Sequence, residues 1–229
     1  DEPLGNMSSE GMRFESHTDF SDDGERLDQE FALRMANTKA HVVLVTDVNI
    51  EGAVRGLKVD ALKKMSEVES NLNFLLSGQE DAALTEALEK RMDIMRDAMF
   101  DLFQSGASAE LSKIAFTVNG QTFNGDYRID IPATNGPKGQ EFQTIAKALA
   151  ATGHVSIPYF YFNLFAQQQK ADPAQYLNTL VEQKMVSKGE ESVEIEVQVN
   201  DGIVQVGAVP VVELAPFAAQ IDQSLADLN

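Results

Sequence analysis

The strongest constraint on the fold is a regular alternation of residue types near the carboxyl end of the chain. Between residues 193 and 199, branched apolar residues occupy every second position and Glu or Gln the others. Side chains of a strand point alternately to its two faces, so the pattern predicts a strand with one dry and one wet face. Asn200-Asp201-Gly202 predicts a turn, and residues 203–214 predict the returning strand, with Pro210 at an edge or bulge.

Other segments also predict strands. Two short apolar runs flank Asn119-Gly120, a pair that tolerates the positive φ angles of a two-residue hairpin turn. Asn124-Gly125 precedes residues 127–131 and predicts a further turn and strand, while residues 41–45 predict a buried strand. Together these hairpins favour a mainly antiparallel sheet.

Two amphipathic helices are predicted between the strand regions. In each of them, apolar residues recur at alternating steps of three and four, and Ser77-Gly78 separates the two helices with a residue suited to a helix end. The apolar positions are Ala61, Met65, Val68, Leu72 and Leu75 in the first helix and Leu88, Met92, Met95, Met99 and Leu102 in the second. We expect an antiparallel helical hairpin whose methionine-rich seam packs within the chain or, alternatively, against another subunit.

The remaining apolar patterns predict shorter elements. Helices are expected at residues 27–39 and 141–151, from the N-cap Asp172 towards Ser187, and at 216–228. The aromatic run at residues 157–165 predicts a strand across the core or, alternatively, an exposed patch that awaits a partner.

The first thirty residues contain ten acids and two bases, Arg13 and Arg26. Such a segment becomes ordered only when an ion, the body of the protein or a neighbouring subunit holds it. We therefore predict an acidic N-terminal arm at 1–30 and a single α+β body at 31–229. The body has a β-rich part at about 110–215 and the inserted helical hairpin at about 57–104, and the fold class is α+β with a mainly antiparallel sheet.

Residues 19–30 resemble the twelve-residue calcium loop of EF-hand proteins. The resemblance assigns the ligand positions to Asp19, Ser21, Asp23, Glu25 through its carbonyl, and Glu30, with Gly24 at the sharp turn. The stretch departs from that family at the eighth and ninth positions, which hold Arg26 and Leu27. The resemblance implies a calcium site in the arm, and no other cofactor is expected.

Charge and residue content narrow the function classes. The 36 acidic and 18 basic residues give a net charge of −18, which opposes direct binding to nucleic acid or to an anionic membrane surface. The chain has no cysteine, and its three histidines are scattered, so thiolate chemistry is excluded and no nucleophile–base pair is visible. We therefore expect no enzymatic activity and no catalytic residues.

These observations predict a non-enzymatic structural component of a larger symmetric assembly, most concretely a phage head or tail protein located in the virion. Its partners would be copies of itself or other assembly subunits, contacted in part by the acidic arm, and the start at Asp1 is typical of processed virion proteins. The alternative is a secreted or surface-exposed calcium-dependent binding module. An enzyme whose residues converge only in the fold is the third hypothesis.

Overall fold

A computed structural model describes residues 8–40, 43–75, 94–102, 105–137 and 140–226. Within these ranges the dominant feature is one antiparallel sheet of eleven strands, accompanied by six helices. The strands are β1 (Ser8–Glu10), β2 (Arg13–Phe20), β3 (Arg26–Ala40), β4 (Val43–Lys58), β5 (Ala107–Val118), β6 (Gln121–Ile131), β7 (Ala150–Pro158), β8 (Ser187–Lys188), β9 (Ser192–Asn200), β10 (Ile203–Val206) and β11 (Val209–Glu213). The helices are α1 (Val59–Leu75), α2 (residues 94–102), α3 (Glu141–Ala148), α4 (Tyr159–Gln168), α5 (Pro173–Glu182) and α6 (Ala215–Ala226).

The strand order is mostly that of the sequence: β1, β3, β4, β5, β6, β7, β9, β10, β11. β1 and β2 lie end to end along the outer edge of β3, and the short β8 pairs with β9. Because almost every strand pairs with its neighbour in the chain, hairpin connections build the sheet.

The predicted fold class is wrong in its description of the amino-terminal part. The acidic residues do not form an arm around an α+β body, because β2 and β3 are consecutive strands of the sheet and β3 replaces the helix predicted at 27–39. Apolar residues occupy every second position at Phe31, Leu33 and Met35, a two-residue period that the polar and charged residues before them obscured. The division into an arm at 1–30 and a body at 31–229 stays a prediction, and β3 runs across the boundary at residue 30.

The inserted two-helix hairpin is also wrong. Residues in α1 and α2 are helical, but the structure shows no clear two-helix hairpin inserted between separate β regions. The flanking strands β4 and β5 pair directly with each other and belong to one sheet. A contact that the structure does describe between α1 and α2 is the ion pair of Lys64 with Asp101, at 3.9 Å. The Ser77-Gly78 turn and the adjoining seam positions in 76–93 lie outside the described residues.

The aromatic run forms neither of the predicted structures over its whole length. β7 ends at Pro158, and α4 begins at Tyr159, because proline has no amide hydrogen with which to continue a strand ladder. Phe162 packs against Val193 and Leu177 in the buried core, so α4 and α5 cover this end of the sheet. Other rings of α4, including Phe165, remain exposed.

The local turn and cap signals were more reliable. Asn119 and Gly120 have positive φ angles and close the β5–β6 hairpin, which confirms that turn. Asn124-Gly125 is not a turn, because β6 runs through it without a break. Asp172 accepts a hydrogen bond from the Gln175 amide at 2.8 Å and caps α5, as predicted.

The carboxyl-terminal turn and helix agree with the sequence, but the single returning strand predicted at 203–214 is wrong, because this stretch is divided into β10 and β11, which pair with each other. β9 and β10 pair around the turn at residues 200–203, and Pro210 lies in the edge strand β11. The buried Asp222 of α6 accepts hydrogen bonds from the first amides of α3, those of Phe142 and Gln143, at 3.0 and 3.1 Å. A carboxylate from a distant helix thus serves as the N-terminal cap of α3 and joins the two helices.

Candidate functional site: the apolar face of the sheet

Three rows of side chains cross the centre of the sheet on one face, from β2 to β9. The registers of the paired strands place the members of each row directly opposite one another. The first row is Phe14, Leu33, Ile50, Ile114, Gly125, Val155 and Ile195; the second is Ser16, Phe31, Gly52, Leu111, Tyr127, Gly153 and Val197; the third is Thr18, Gln29, Val54, Ala109, Ile129, Ala151 and Val199. We call these three rows the apolar face.

The phenol of Tyr127 is the only ionisable group among the side chains of the apolar face. Burial raises the pKa of this phenol above its ordinary value. The charged residues of the same strands alternate with these rows and point to the other side. The two faces of the sheet are therefore sharply different in chemistry.

The apolar face is poorly covered by the described part of the chain. Of its members, only Gly52, Ala151 and Val199 are buried, whereas Phe14 is 61% exposed and Val155 is 42% exposed. Among the described helices, α4 contacts the sheet at β7 and β9. A sheet face this apolar normally packs against another layer, so its exposure makes it the candidate functional site.

Glycines let the neighbouring side chains lie flat on this face. A Cβ built on Gly52 would stand 2.8 Å from Phe31 Cζ and 2.9 Å from Leu111 Cδ2, so these side chains lean over the glycine from both neighbouring strands. Tyr127 lies over Gly153 in the same way, with its Cδ2 at 3.4 Å from the corresponding point. The surface is therefore flat at these positions, because the large side chains lie parallel to the sheet over the glycines.

The opposite face carries cross-strand ion pairs, and we call it the polar face. Arg55 donates to Glu110 at 2.6 Å and to Glu30 at 3.3 Å, and Glu110 is in turn 3.4 Å from Arg128. The hydrogen bond to Glu110 raises the pKa of Arg55, with a further contribution from Glu30. Opposite charges placed across neighbouring strands in this way stabilise a sheet surface modestly.

The polar face also contains an open hollow of about 360 Å³. Its walls are charged side chains, among them Glu15, Arg34 and Glu51, and Ala32 and Ala53 lie at its floor. Arg34 pairs with Glu51 at 3.1 Å and with Glu15 at 3.5 Å, so these groups already satisfy one another.

The cluster of His154, Ser156, Ser192 and Glu194 comes nearest to a catalytic arrangement. His154 Nε2 lies 2.8 Å from Glu194 Oε2, while the Ser156 hydroxyl donates to Glu194 Oε1 at 3.0 Å and Ser192 also donates to Oε1. Burial opposes ionisation of Glu194, but the hydrogen bonds from the two serines and His154 outweigh it and lower the pKa of this carboxyl. Because both hydroxyls bond to the carboxylate and neither to the imidazole, the cluster has no activated nucleophile.

The EF-hand-like residues lie on the β2–β3 hairpin. Asp19 is in β2 opposite Asp28, Glu30 is in β3 opposite His17, and Ser21 lies in the connecting turn. The other two positions also belong to this turn: Asp23 accepts hydrogen bonds from the Ser21 hydroxyl at 2.6 Å and the Glu25 amide at 2.9 Å, and these lower the pKa of Asp23. The calcium assignment stays a prediction.

The described residues contain neither a cluster of metal ligands nor a helix that could span a membrane. In these parts of the chain, no three or more His, Cys, Asp or Glu side chains converge in a way that could hold a metal ion. None of the described helices combines the length and the apolar character needed to cross a bilayer.

Comparison with known proteins gives one result. The sequence profile of the family described as bacterial protein of unknown function (DUF945) matches residues 5–208. The chain belongs to this family. No curated protein and no solved structure matches this DUF945 member. Its function must therefore be argued from its own surfaces.

Sequence reasoning missed the apolar face. The signal was present in β3, where the apolar residues Phe31, Leu33 and Met35 occupy alternate positions. That signal was hidden because the high acid content of residues 1–30 suggested a disordered segment. Which strands stand side by side, and hence that the rows continue across the sheet, depends on the registers of non-local pairs.

Proposed function

We propose that this DUF945 member is a non-enzymatic component of a larger assembly, and that it joins its partner through the apolar face. One observation carries the proposal. The three rows of the apolar face contain no charged side chain, and the described helices leave the centre of this face exposed. Burying the apolar face against a partner would stabilise the complex by roughly 25 cal/mol for each Å² of apolar surface removed from water.

The non-enzymatic part of the proposal is supported by the state of the polar groups. The hydroxyls of Ser156 and Ser192 are bonded to the carboxylate of the His154–Glu194 pair, and the charged walls of the polar-face hollow are paired with one another. A reactive centre needs a base within reach of a nucleophile or a substrate. The described polar clusters have the form of structural networks instead.

Two more specific predictions stand beside this proposal: that the assembly is a virion, or alternatively that the protein is a secreted or surface-exposed calcium-dependent binding module. The exposed apolar face supports assembly in general.

The test compares two substitutions on β6 that add the same charge to opposite faces. Tyr127→Glu places a carboxylate on the apolar face, and Asn124→Glu places it on the polar face; both positions are exposed, so both variants should fold. We measure particle mass by light scattering and the fluorescence of an apolar dye.

The wild-type chain is expected either to form a complex larger than a monomer or to bind the dye strongly. Tyr127→Glu should lower whichever signal is present, and Asn124→Glu should leave it within about twofold. A wild-type monomer that binds no dye, with circular dichroism showing a folded sheet, would contradict the proposed function.

A further inference from the structure

The partner of the apolar face can be argued further, on the basis of the proposed function. We infer that this face is occupied by a second copy of the same chain, packed face to face so that the two sheets form a sandwich. Area, charge and surface shape each support this occupant.

The area of the face is close to what a stable dimer requires. The part of the three rows that lies between β2 and β7 has six residues in each row. With strands about 4.8 Å apart and same-face residues about 6.7 Å apart, this part occupies roughly 600 Å² of flat sheet. Side-chain relief increases the accessible area towards the roughly 800 Å² per partner of a standard interface.

The charge distribution favours this face over any other for self-association. Each copy has a net charge of −18, so two copies repel each other at most surfaces. On the apolar face, residues such as Leu111 and Val155 bring no charge to the contact, and the acids of the same strands lie on the far side of the sheet. Many of those acids are paired with arginines, as Glu110 is with Arg55.

The shape of the face suits a second sheet. Phe31 and Leu111 lie across Gly52, and Tyr127 lies across Gly153, so few side chains project far from the sheet at the centre of the face. Two such levelled faces can approach to the spacing of about 10 Å that packed sheets adopt. A two-fold axis through the centre makes the contact isologous, since the same rows then meet their own copies.

The helices limit where the second copy can lie. α4 covers the end of the sheet near Val193, where Tyr161 also contacts the Phe123 ring with a centroid distance of 4.9 Å. The contact between copies therefore spans the three rows from β2 to β7 and leaves out the end of β7 and β9 that α4 covers.

The test uses a matched pair on β7. Val155→Glu and Thr152→Glu both add a carboxylate at an exposed position of one strand, on the apolar face and the polar face respectively. Sedimentation equilibrium of the full chain measures the mass and the dimer dissociation constant of each variant, and circular dichroism verifies that each is folded.

We expect a wild-type mass of two copies. Val155→Glu should raise the dissociation constant by about 100-fold or more, because the symmetric contact buries two unpaired carboxylates. Thr152→Glu should change it by less than about threefold, because its side chain faces water next to Arg128.

Three other outcomes would contradict the inference, and the measurements distinguish them. A dimer that Val155→Glu leaves intact places the contact elsewhere, such as the β2 edge, and contradicts face-to-face packing. A monomer that binds an apolar dye excludes a second copy but leaves the proposed function with a different partner. A monomer that binds no dye contradicts both.

Discussion

Phe31 and Gly52 stand opposite each other across β3 and β4, and the phenylalanine ring occupies the space above the glycine, with its Cζ 2.8 Å from the point where a Cβ would be. A side chain on residue 52 would also meet the backbone oxygen of Glu110 at 2.5 Å. The close approach of backbone and ring therefore depends on glycine at this position.

Gly52→Ala should lower the free energy of unfolding by about 1–3 kcal/mol, because the Glu110 carbonyl cannot move without disturbing the β4–β5 ladder. Gly153→Ala is the matched control, since its nearest neighbour, Tyr127, is at 3.4 Å. We expect that change to alter stability by less than about 1 kcal/mol. Urea denaturation measures both, and equal losses would contradict the packing described for Gly52.

Glu194 should make stability depend on pH in the acid range. Its pKa is lower in the folded chain than in the unfolded chain, so the stabilisation it provides is complete above the ordinary glutamate pKa and is lost as the pH falls through the folded value. Glu194→Gln should flatten the decline in unfolding free energy from about pH 5 downwards. The measurement is a set of denaturation curves from pH 3 to 7, with Glu196→Gln as a control that leaves the three hydrogen bonds to Glu194 in place. An unchanged slope in Glu194→Gln would contradict this assignment.

Asp222 should stabilise the contact between α3 and α6. It is 4% exposed, and its two carboxylate oxygens accept the Phe142 and Gln143 amides. Asp222→Ala leaves those amides without their acceptor and should cost about 2 kcal/mol, whereas Asp222→Asn keeps one acceptor oxygen and should cost less. Ser224→Ala, at an exposed position of the same helix, should cost less than about 0.5 kcal/mol. Thermal unfolding ranks the three variants, and a loss in Ser224→Ala equal to that in Asp222→Ala would count against the cap.

The EF-hand-like stretch predicts calcium binding at the β2–β3 hairpin. Calorimetric titration of calcium should then give a heat of binding that Asp19→Ala removes, because the resemblance makes Asp19 the first ligand. Absence of heat at millimolar calcium would contradict the site.

Local signals in the sequence predicted the parts of the fold that short stretches of chain decide. The turn at Asn119-Gly120 and the N-cap at Asp172 depend on backbone conformations and hydrogen bonds within four residues, so they are correct. The alternation at residues 193–199 correctly assigned a strand to that segment. Pro158 held the information that β7 ends, but the aromatic residues after it suggested a longer strand.

The sequence by itself determined that apolar residues alternate with Glu or Gln in β9, at residues 193–199. Only the tertiary structure decided that Phe31, Gly52, Leu111 and Tyr127 lie in one row, although they come from four strands. The physical reason is that strand register is set by cooperative hydrogen bonding between segments far apart in the chain, and a shift of one residue would move each side chain to the other face. The separation into an apolar and a polar face is thus a property of the assembled sheet.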